Sequence, residues 1–322
     1  MTGLHNLGNT CYFNAALQVL AHCRPLVKHL VACPDTQDSR AVSSLLRSLF
    51  IKMWSEDDRG CRHVLSPSGL LRAVMRKSTT FELRRQGDAH EMASVLLDLL
   101  TEDNAIPSVR NVIEGVCLSV VECTACGSRS SGSKEPFTSL SVALPQQRCS
   151  PLLTSNDLVR AFFAPTPAEG WRCEACNRTG TGRVTTGLWS VPRILLVCTK
   201  RFGADGTSVN RMPVAPSKRI DFTLEANRPA VAPGSPAEAT LLGTSGGKRR
   251  GFRLVGAVCH IGSTQSDGHY VACCRRPGAG WRMYDDDVMT RMPGGARDVS
   301  SQAAYVLAYE IVRWDAATPP HP

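Results

Sequence analysis

The sequence predicts an α+β chain, helical to about residue 105 and built of antiparallel sheet beyond it. Apolar residues recur at helical spacing in three places: Phe13, Ala16, Leu17 and Leu20; Val42, Leu45, Leu46 and Leu49; and Met92, Val95, Leu96, Leu99 and Leu100. From Val112 onward, short β-branched runs alternate with Gly, Ser and Pro, the pattern of strands and turns. The chain has 322 residues, 43% apolar and 20% charged, a globular composition long enough for one large domain or two ordinary ones.

The first helix is expected to start at Cys11, after the turn and N-cap residues Gly8, Asn9 and Thr10. A second covers Ala41 to Trp54, and Ser66-Pro67-Ser68 introduces a short helix through Val74. Asp88 is a good N-cap for the helix that follows, with Glu91 completing a loose capping box. Strands are expected at Val116–Glu122, Phe137–Leu144, Leu188–Thr199 and Arg219–Leu224, then at Phe252–Cys259, Gly268–Ala272 and Trp281–Asp287. The stretch from Ala230 to Gly247 reads as a loop.

Charge and composition exclude several classes. The net charge of +9 is scattered, and its densest runs, Lys248-Arg249-Arg250 and Arg275-Arg276, carry no interleaved aromatics, so no nucleic-acid surface is expected. No run of about eighteen apolar residues suggests a membrane span, and no secretory signal is visible. The fourteen cysteines therefore point to a reducing cytoplasmic or nuclear setting rather than a disulfide framework. Cys117, Cys198, Cys259, Cys273 and Cys274 read as small apolar strand residues.

Two features carry chemistry. A cysteine at a helix start meets unpaired N–H groups and the positive end of the helix dipole, which favour the thiolate nucleophile. Cys11 occupies that position, where the alternative is a buried structural cysteine. Asn6 lies close enough in sequence for its amide to serve an oxyanion there. At the far end, Gly262, Asp267 and Gly268 form a loop that delivers His269 at the head of a strand. The next strand ends in Asp285-Asp286-Asp287, so an acid can be brought beside the imidazole. Separately, Cys123-Thr-Ala-Cys126 and Cys173-Glu-Ala-Cys176 are each followed by a residue tolerant of positive φ. They supply four thiolates for a tetrahedral Zn2+, the alternatives being redox pairs or packed cysteines.

In order, these residues resemble the ubiquitin-specific proteases. GNTCYFNAALQVL is similar to the family's cysteine box, QGDAHEM to its intermediate signature, VPRILLVCTKRF to the strand before the palm, GHYVACCRRPGAGWRMYDDD to its histidine box, and AAYVLAYE to the closing strand. The resemblance runs from residue 3 to about 312, with Gly87 and Met92 departing from the usual residues.

It implies a papain-like right hand: a helical thumb (1–105), β fingers with a structural zinc ribbon (106–186) and an antiparallel β palm (187–322), together a single bare catalytic domain. It further implies Cys11 as nucleophile, His269 as general base and acid, and Asp285 orienting the histidine. Asn6 would line the oxyanion hole and Asp286 support the network, with the dominant acid left open. Asp88, Glu91, Gly268 and Tyr270 would meet the arginine-containing tail of ubiquitin, and Cys123, Cys126, Cys173 and Cys176 would hold the zinc. The implied activity is removal of ubiquitin from ubiquitinated proteins. The same chemistry on a ubiquitin-like modifier, and a catalytically silent ubiquitin-binding scaffold, are the rival readings. No activating partner is legible.

Overall fold

The computed structural model describes residues 2–33, 38–55, 64–82, 84–103, 106, 108–146, 152–203, 206–223, 249–265 and 267–312. The expected loop from Ala230 to Gly247 lies outside these residues.

Six helices come first: α1 (Cys11–His22), α2 (Arg24–Ala32), α3 (Val42–Trp54), α4 (Ser68–Lys77), α5 (Ala89–Glu102) and the single turn α6 (Arg110–Ile113). Helix α1 is buried along its whole length, because both its faces are apolar and both are covered. It packs on α5 on one side and on the sheet on the other. Its polar residues Asn14, Gln18 and His22 form one stripe at i, i+4, i+8, and each finds a buried partner. Asn14 donates to the carbonyls of Leu4 and His5, Gln18 donates to the Thr2 carbonyl, and His22 bonds the Gln18 carbonyl and the Tyr284 hydroxyl. Helix α2 was not anticipated, although Pro25 in its first turn is a helix-start signal. Helix α4 begins at Ser68 without a side-chain cap and runs on to Lys77. Asp88 caps α5 by accepting from the His90 and Glu91 amides.

The remainder is β1 (Gly115–Cys123), β2 (Ser133–Phe137), β3 (Ser139–Ala143), β4 (Leu153–Thr154), α7 (Ser155–Phe162), β5 (Thr166–Ala168), β6 (Gly182–Ser190), β7 (Ile194–Lys200), β8 (Val214–Ala215), β9 (Arg219–Thr223), β10 (Arg249–Gly262), β11 (Gly268–Arg276), β12 (Gly280–Asp285), β13 (Val288–Met292) and β14 (Ala304–Val312). A four-stranded sheet has the order β2-β1-β6-β5. The larger sheet runs β13-β12-β11-β10-β14-β7-β3, with β9 also pairing β10. Two features differ from expectation, the first for a local reason. The run Leu188–Thr199 is two strands in different sheets, broken at Val191-Pro192-Arg193, where proline cannot donate to a ladder. The pairing is antiparallel except for β3 with β7 and β4 with β8, which are parallel. Helix α7, also unforeseen, carries a full capping box between Thr154 and Asp157.

The larger sheet has a core on each face. Tyr270, Ala272, Cys274, Val306 and Ala308 pack toward the helices. Their neighbours Val271, Cys273, Leu307 and Tyr309 pack on the other side, toward α7. The five strand cysteines are buried, and burial pushes the thiol of Cys117 up to about 11 and that of Cys198 up to about 12. Arg201 is buried with no carboxylate partner among the described residues; its guanidinium donates to the carbonyls of Asn210, Met212, Ser301 and Ala304, tying the loop after β7 to the start of β14.

Two buried histidines contribute to the acid limb of stability. Burial pushes His22 down to about 4, and burial together with Arg211 pushes His260 to about 4. The fold holds both neutral, whereas the unfolded chain protonates them near the ordinary value of 6.5. Their contribution is therefore complete above pH 6.5 and is lost as pH falls toward 4, by at most roughly 3 kcal/mol each. Denaturant unfolding at a series of pH values is expected to show this loss, and to show less of it in His260→Phe. A wild-type profile flat between pH 6.5 and 4 would contradict the assignment.

Candidate functional site

The turn ahead of α1 is built on Asn6. Its Oδ1 accepts from the amides of Gly8 (2.9 Å) and Thr10 (3.2 Å), closing a loop in which Gly8 (φ 100°) and Asn9 (φ 54°) are both left-handed. The Thr10 hydroxyl accepts from the Leu7 amide and does not cap the helix. The chain thus enters α1 with Cys11 at its first position, 3% exposed.

Helix α1 lies on β11, so the Cys11 sulfur reaches the Tyr270 backbone, one residue from His269. Burial is the largest influence on this thiol and pushes it up; backbone hydrogen bonds from Tyr270, Tyr12 and Cys11 oppose it, and the charge of Asp286 adds to it. The helix start was expected to favour thiolate. Here desolvation outweighs those backbone hydrogen bonds, which favours the thiol.

His269 stands at the head of β11, half-buried, with Nε2 2.5 Å from Asp285 Oδ1. The register explains the pair. Ala272 lies opposite Tyr284, so Asp285 falls on the face shared by Val271 and His269, one diagonal step away. No hydrogen bond joins Cys11 to His269 among the described residues. Asp286, at φ 51°, turns the other way: its Oδ2 accepts from Asn6 Nδ2 (2.8 Å) and its Oδ1 from Asn14 Nδ2 (2.7 Å). Asn14 was missed in the sequence. Its position one turn after Cys11, at the head of the i, i+4, i+8 polar stripe Asn14, Gln18 and His22, is the signal that could have exposed it.

Of the four expected tail-binding residues, Asp88 and Glu91 line a groove of about 470 Å³ with Tyr12, Phe81, Gln86 and Gln265. Gly268 and Tyr270 are not in its lining. The Asp88 carboxylate is already engaged: Oδ1 caps α5, and Oδ2 accepts from the Tyr305 hydroxyl (2.7 Å) and Gln265 Nε2 (3.1 Å). Glu91 is exposed, and partial burial with the nearby Asp88 charge raises its pKa. Tyr12 stacks on Phe81, and a Cβ at position 87 would meet both rings within 3.0 Å, so glycine fits there. Gly268 is equally constrained, because a Cβ would lie 2.4 Å from the buried His260 ring.

The four CxxC cysteines meet at the end of the smaller sheet. The two knuckles repeat one pattern: the Gly127 amide donates to the Cys123 carbonyl and the Asn177 amide to the Cys173 carbonyl, each at 2.8 Å, with Gly127 and Asn177 left-handed. Sulfur separations are 3.7 Å for Cys123–Cys176 and 3.6 Å for Cys126–Cys173, and all four sulfurs lie within 4.8 Å of one another. Four thiolates around a tetrahedral ion at about 2.3 Å would sit about 3.8 Å apart. The cluster can therefore hold a metal ion, and all four cysteines are free thiols rather than disulfide-bonded.

The sequence profile of the family described as ubiquitin carboxyl-terminal hydrolase matches residues 2–309. Among curated relatives, ubiquitin carboxyl-terminal hydrolase Usp2 of Drosophila melanogaster is 26% identical over 96% of this chain and 35% of its own length. Ubiquitin carboxyl-terminal hydrolase 10 of Saccharomyces cerevisiae is 25% identical over 95% of this chain and 46% of its own. The chain thus spans between a third and a half of the length of these two relatives. Among solved structures, a chain of the SAGA Ubp8/Sgf11/Sus1/Sgf73 DUB module bound to ubiquitin aldehyde superposes with a TM-score of 0.77. It is 20% identical and covers 98% of this chain and 70% of that one. A chain of the same module bound to monoubiquitin gives the same values. The shared fold and a profile match over nearly the whole sequence lead to one conclusion: the chain belongs to the ubiquitin carboxyl-terminal hydrolase family.

Proposed function

We propose that this chain is a cysteine isopeptidase that cleaves the bond after the C-terminal glycine of ubiquitin and so frees ubiquitinated proteins. The observation that carries the proposal is Cys11 at a buried helix start against the strand bearing His269, with His269 paired to Asp285. Burial holds the sulfur as a thiol, so its proton must leave as attack begins. Asp285 engages Nε2 of His269, which leaves Nδ1 to take that proton and steadies the imidazolium.

The sulfur then adds to the glycine carbonyl. Asn6 Nδ2, one hydrogen held by Asp286, and first-turn amides of α1 stabilise the oxyanion. His269 protonates the departing lysine amine, then deprotonates the water that hydrolyses the acyl-enzyme. Asp88, Glu91, Gly268 and Tyr270 carry the ubiquitin tail in this reading. Glu91 is the exposed charge for an arginine, Asp88 the braced platform beside it, and Gly268 and Tyr270 the strand next to the nucleophile.

The metal we infer for the four cysteines is structural zinc, held by Cys123, Cys126, Cys173 and Cys176 with no position open to water. Residues 1–105, 106–186 and 187–322 divide into thumb, fingers and palm. Among the described residues every cysteine is a free thiol, and no helix is long and apolar enough to cross a membrane. Both favour the cytoplasm or nucleus as the setting.

Hydrolysis of a ubiquitin–lysine conjugate is expected to disappear in Cys11→Ala, with ubiquitin still bound, and to fall about 100-fold or more in kcat for Asp285→Asn. Unchanged turnover in Cys11→Ala would sink the proposal. Glu91→Gln should raise KM about fivefold at low salt with kcat retained, whereas Asp88→Asn should act chiefly on stability, costing about 1 kcal/mol through the weakened cap. The reverse pattern would move the tail contact to Asp88. Metal analysis of folded protein is expected to return one zinc per chain, and Cys173→Ser to lower both the metal content and the thermal midpoint. A content below half an equivalent would refute the zinc reading.

A further inference from the structure

The turn that follows Asp285 is gripped by the first residues of the chain. Asp285 pairs with Val288, so Asp286 and Asp287 form a two-residue hairpin loop between β12 and β13. Asp286 sits at φ 51°, a conformation that a residue with a Cβ keeps only when its surroundings hold it. Here three contacts do so. The Leu4 amide donates to the Asp286 carbonyl (2.8 Å), and Asn6 and Asn14 donate to its two carboxylate oxygens. Gly3 lies against the next peptide. A Cβ there would be 2.4 Å from the Asp287 carbonyl oxygen, 2.6 Å from its carbon and 2.7 Å from its Cα, all backbone atoms with no rotamer to yield.

The same segment is fastened on its other sides. Leu65 donates its amide to the Gly3 carbonyl and accepts from the His5 amide, and Gln18 of α1 donates to the Thr2 carbonyl (2.8 Å). Residues 2–6 are thus a strap whose one edge is bonded to Leu65 and whose other edge holds the acidic turn. The strap continues directly into the Asn6–Thr10 loop that delivers Cys11. A single short piece of backbone therefore sets the spacing between the nucleophile and the acid that orients its base.

We propose that Gly3 is a positioning residue for the Asp285–His269 pair: its missing side chain lets the strap lie close enough to hold Asp286 and Asp287 at the height where Asp285 meets the imidazole. The inference rests on the acyl-transfer reading above. A methyl group at position 3 must push the turn or the strap outward by several tenths of an ångström. The consequence falls on orientation of the base and on the Asn6 donor that the same strap carries to Asp286, and leaves untouched the groove lined by Asp88 and Glu91.

The test is Gly3→Ala and Gly3→Val in the full chain, assayed on a ubiquitin–lysine conjugate and by proton NMR of the hydrogen-bonded His269 ring proton, which the Asp285 contact places far downfield. The expected result is a kcat lowered about 10-fold by alanine and further by valine, as misplacements below an ångström do. KM and ubiquitin affinity should stay within about twofold. The downfield proton should be shifted or lost. A folded Gly3→Ala with wild-type kcat and an unchanged proton, or a loss confined to KM, would overturn the proposal.

If the Gly3 variants fail to fold, Gln18→Met decides, since it keeps the shape of the side chain and deletes only the amide that holds Thr2. A smaller kcat loss at constant KM supports the strap, and an unchanged kcat overturns it. Should the wild-type chain hydrolyse nothing, the acyl-transfer reading fails by itself. The downfield proton in wild type and in Gly3→Ala would then still decide the strap.

Discussion

Everything at the candidate site depends on how α1 is buried. A helix with apolar residues on both faces must be covered all round, and α1 is covered by α5 on one side and by β10 and β11 on the other. This packing carries its first residue, Cys11, to the Tyr270 backbone and so to the head of the strand that presents His269. The polar stripe Asn14, Gln18 and His22 then fixes the rotation of the helix about its axis. Each member reaches a different part of the surroundings: Asn14 the acidic turn, Gln18 the first residues of the chain, His22 the Tyr284 hydroxyl beside Asp285. Rotating α1 would orphan three buried polar groups at about 1–3 kcal/mol each, which fixes the position of Cys11.

The same burial has a chemical effect opposite to that of the helix dipole. A thiol 3% exposed loses the solvation that a thiolate needs, and the first-turn amides return only part of it. In the proposed reaction the sulfur is then a thiol before substrate arrives, and its proton leaves as attack begins. The groove near α5 shows a similar restraint. Asp88 is held by its own helix, by Tyr305 and by Gln265, while Glu91 one turn on stands exposed. In the proposed reading, Glu91 rather than Asp88 is therefore the free acid for a guanidinium.

Much of this was legible from residue types and spacing. Periodicity located α1, α3 and α5, and the glycine-bounded β11 with the acid-ended β12 placed His269 beside Asp285, because register is a local property of a hairpin. The two CxxC knuckles announced both their cysteines and the left-handed residues after them. What escaped depends on contacts distant in sequence. Asn14 looks like an interruption of an apolar helix until residues 3–5 and 286 are brought to it. Asp88 reads as the N-cap that it is, but that Tyr305 and Gln265 engage its second oxygen could not be read from the sequence. The Leu188–Thr199 run looks continuous because its apolar character does not change where Pro192 moves the chain between sheets. The direction of the Cys11 shift was misjudged for the same reason: the dipole can be read from sequence, whereas the depth of burial cannot.

The central claim is that Cys11 is a nucleophile aimed at the end of ubiquitin. Ubiquitin carrying a thiol-reactive group at its C-terminus, incubated with the chain and followed by peptide mass spectrometry, tests it most directly. The account predicts a single adduct on Cys11, absent from Cys11→Ala and absent with a probe built on an unrelated modifier. An adduct on any other cysteine, or tight ubiquitin binding with no adduct at all, would contradict it.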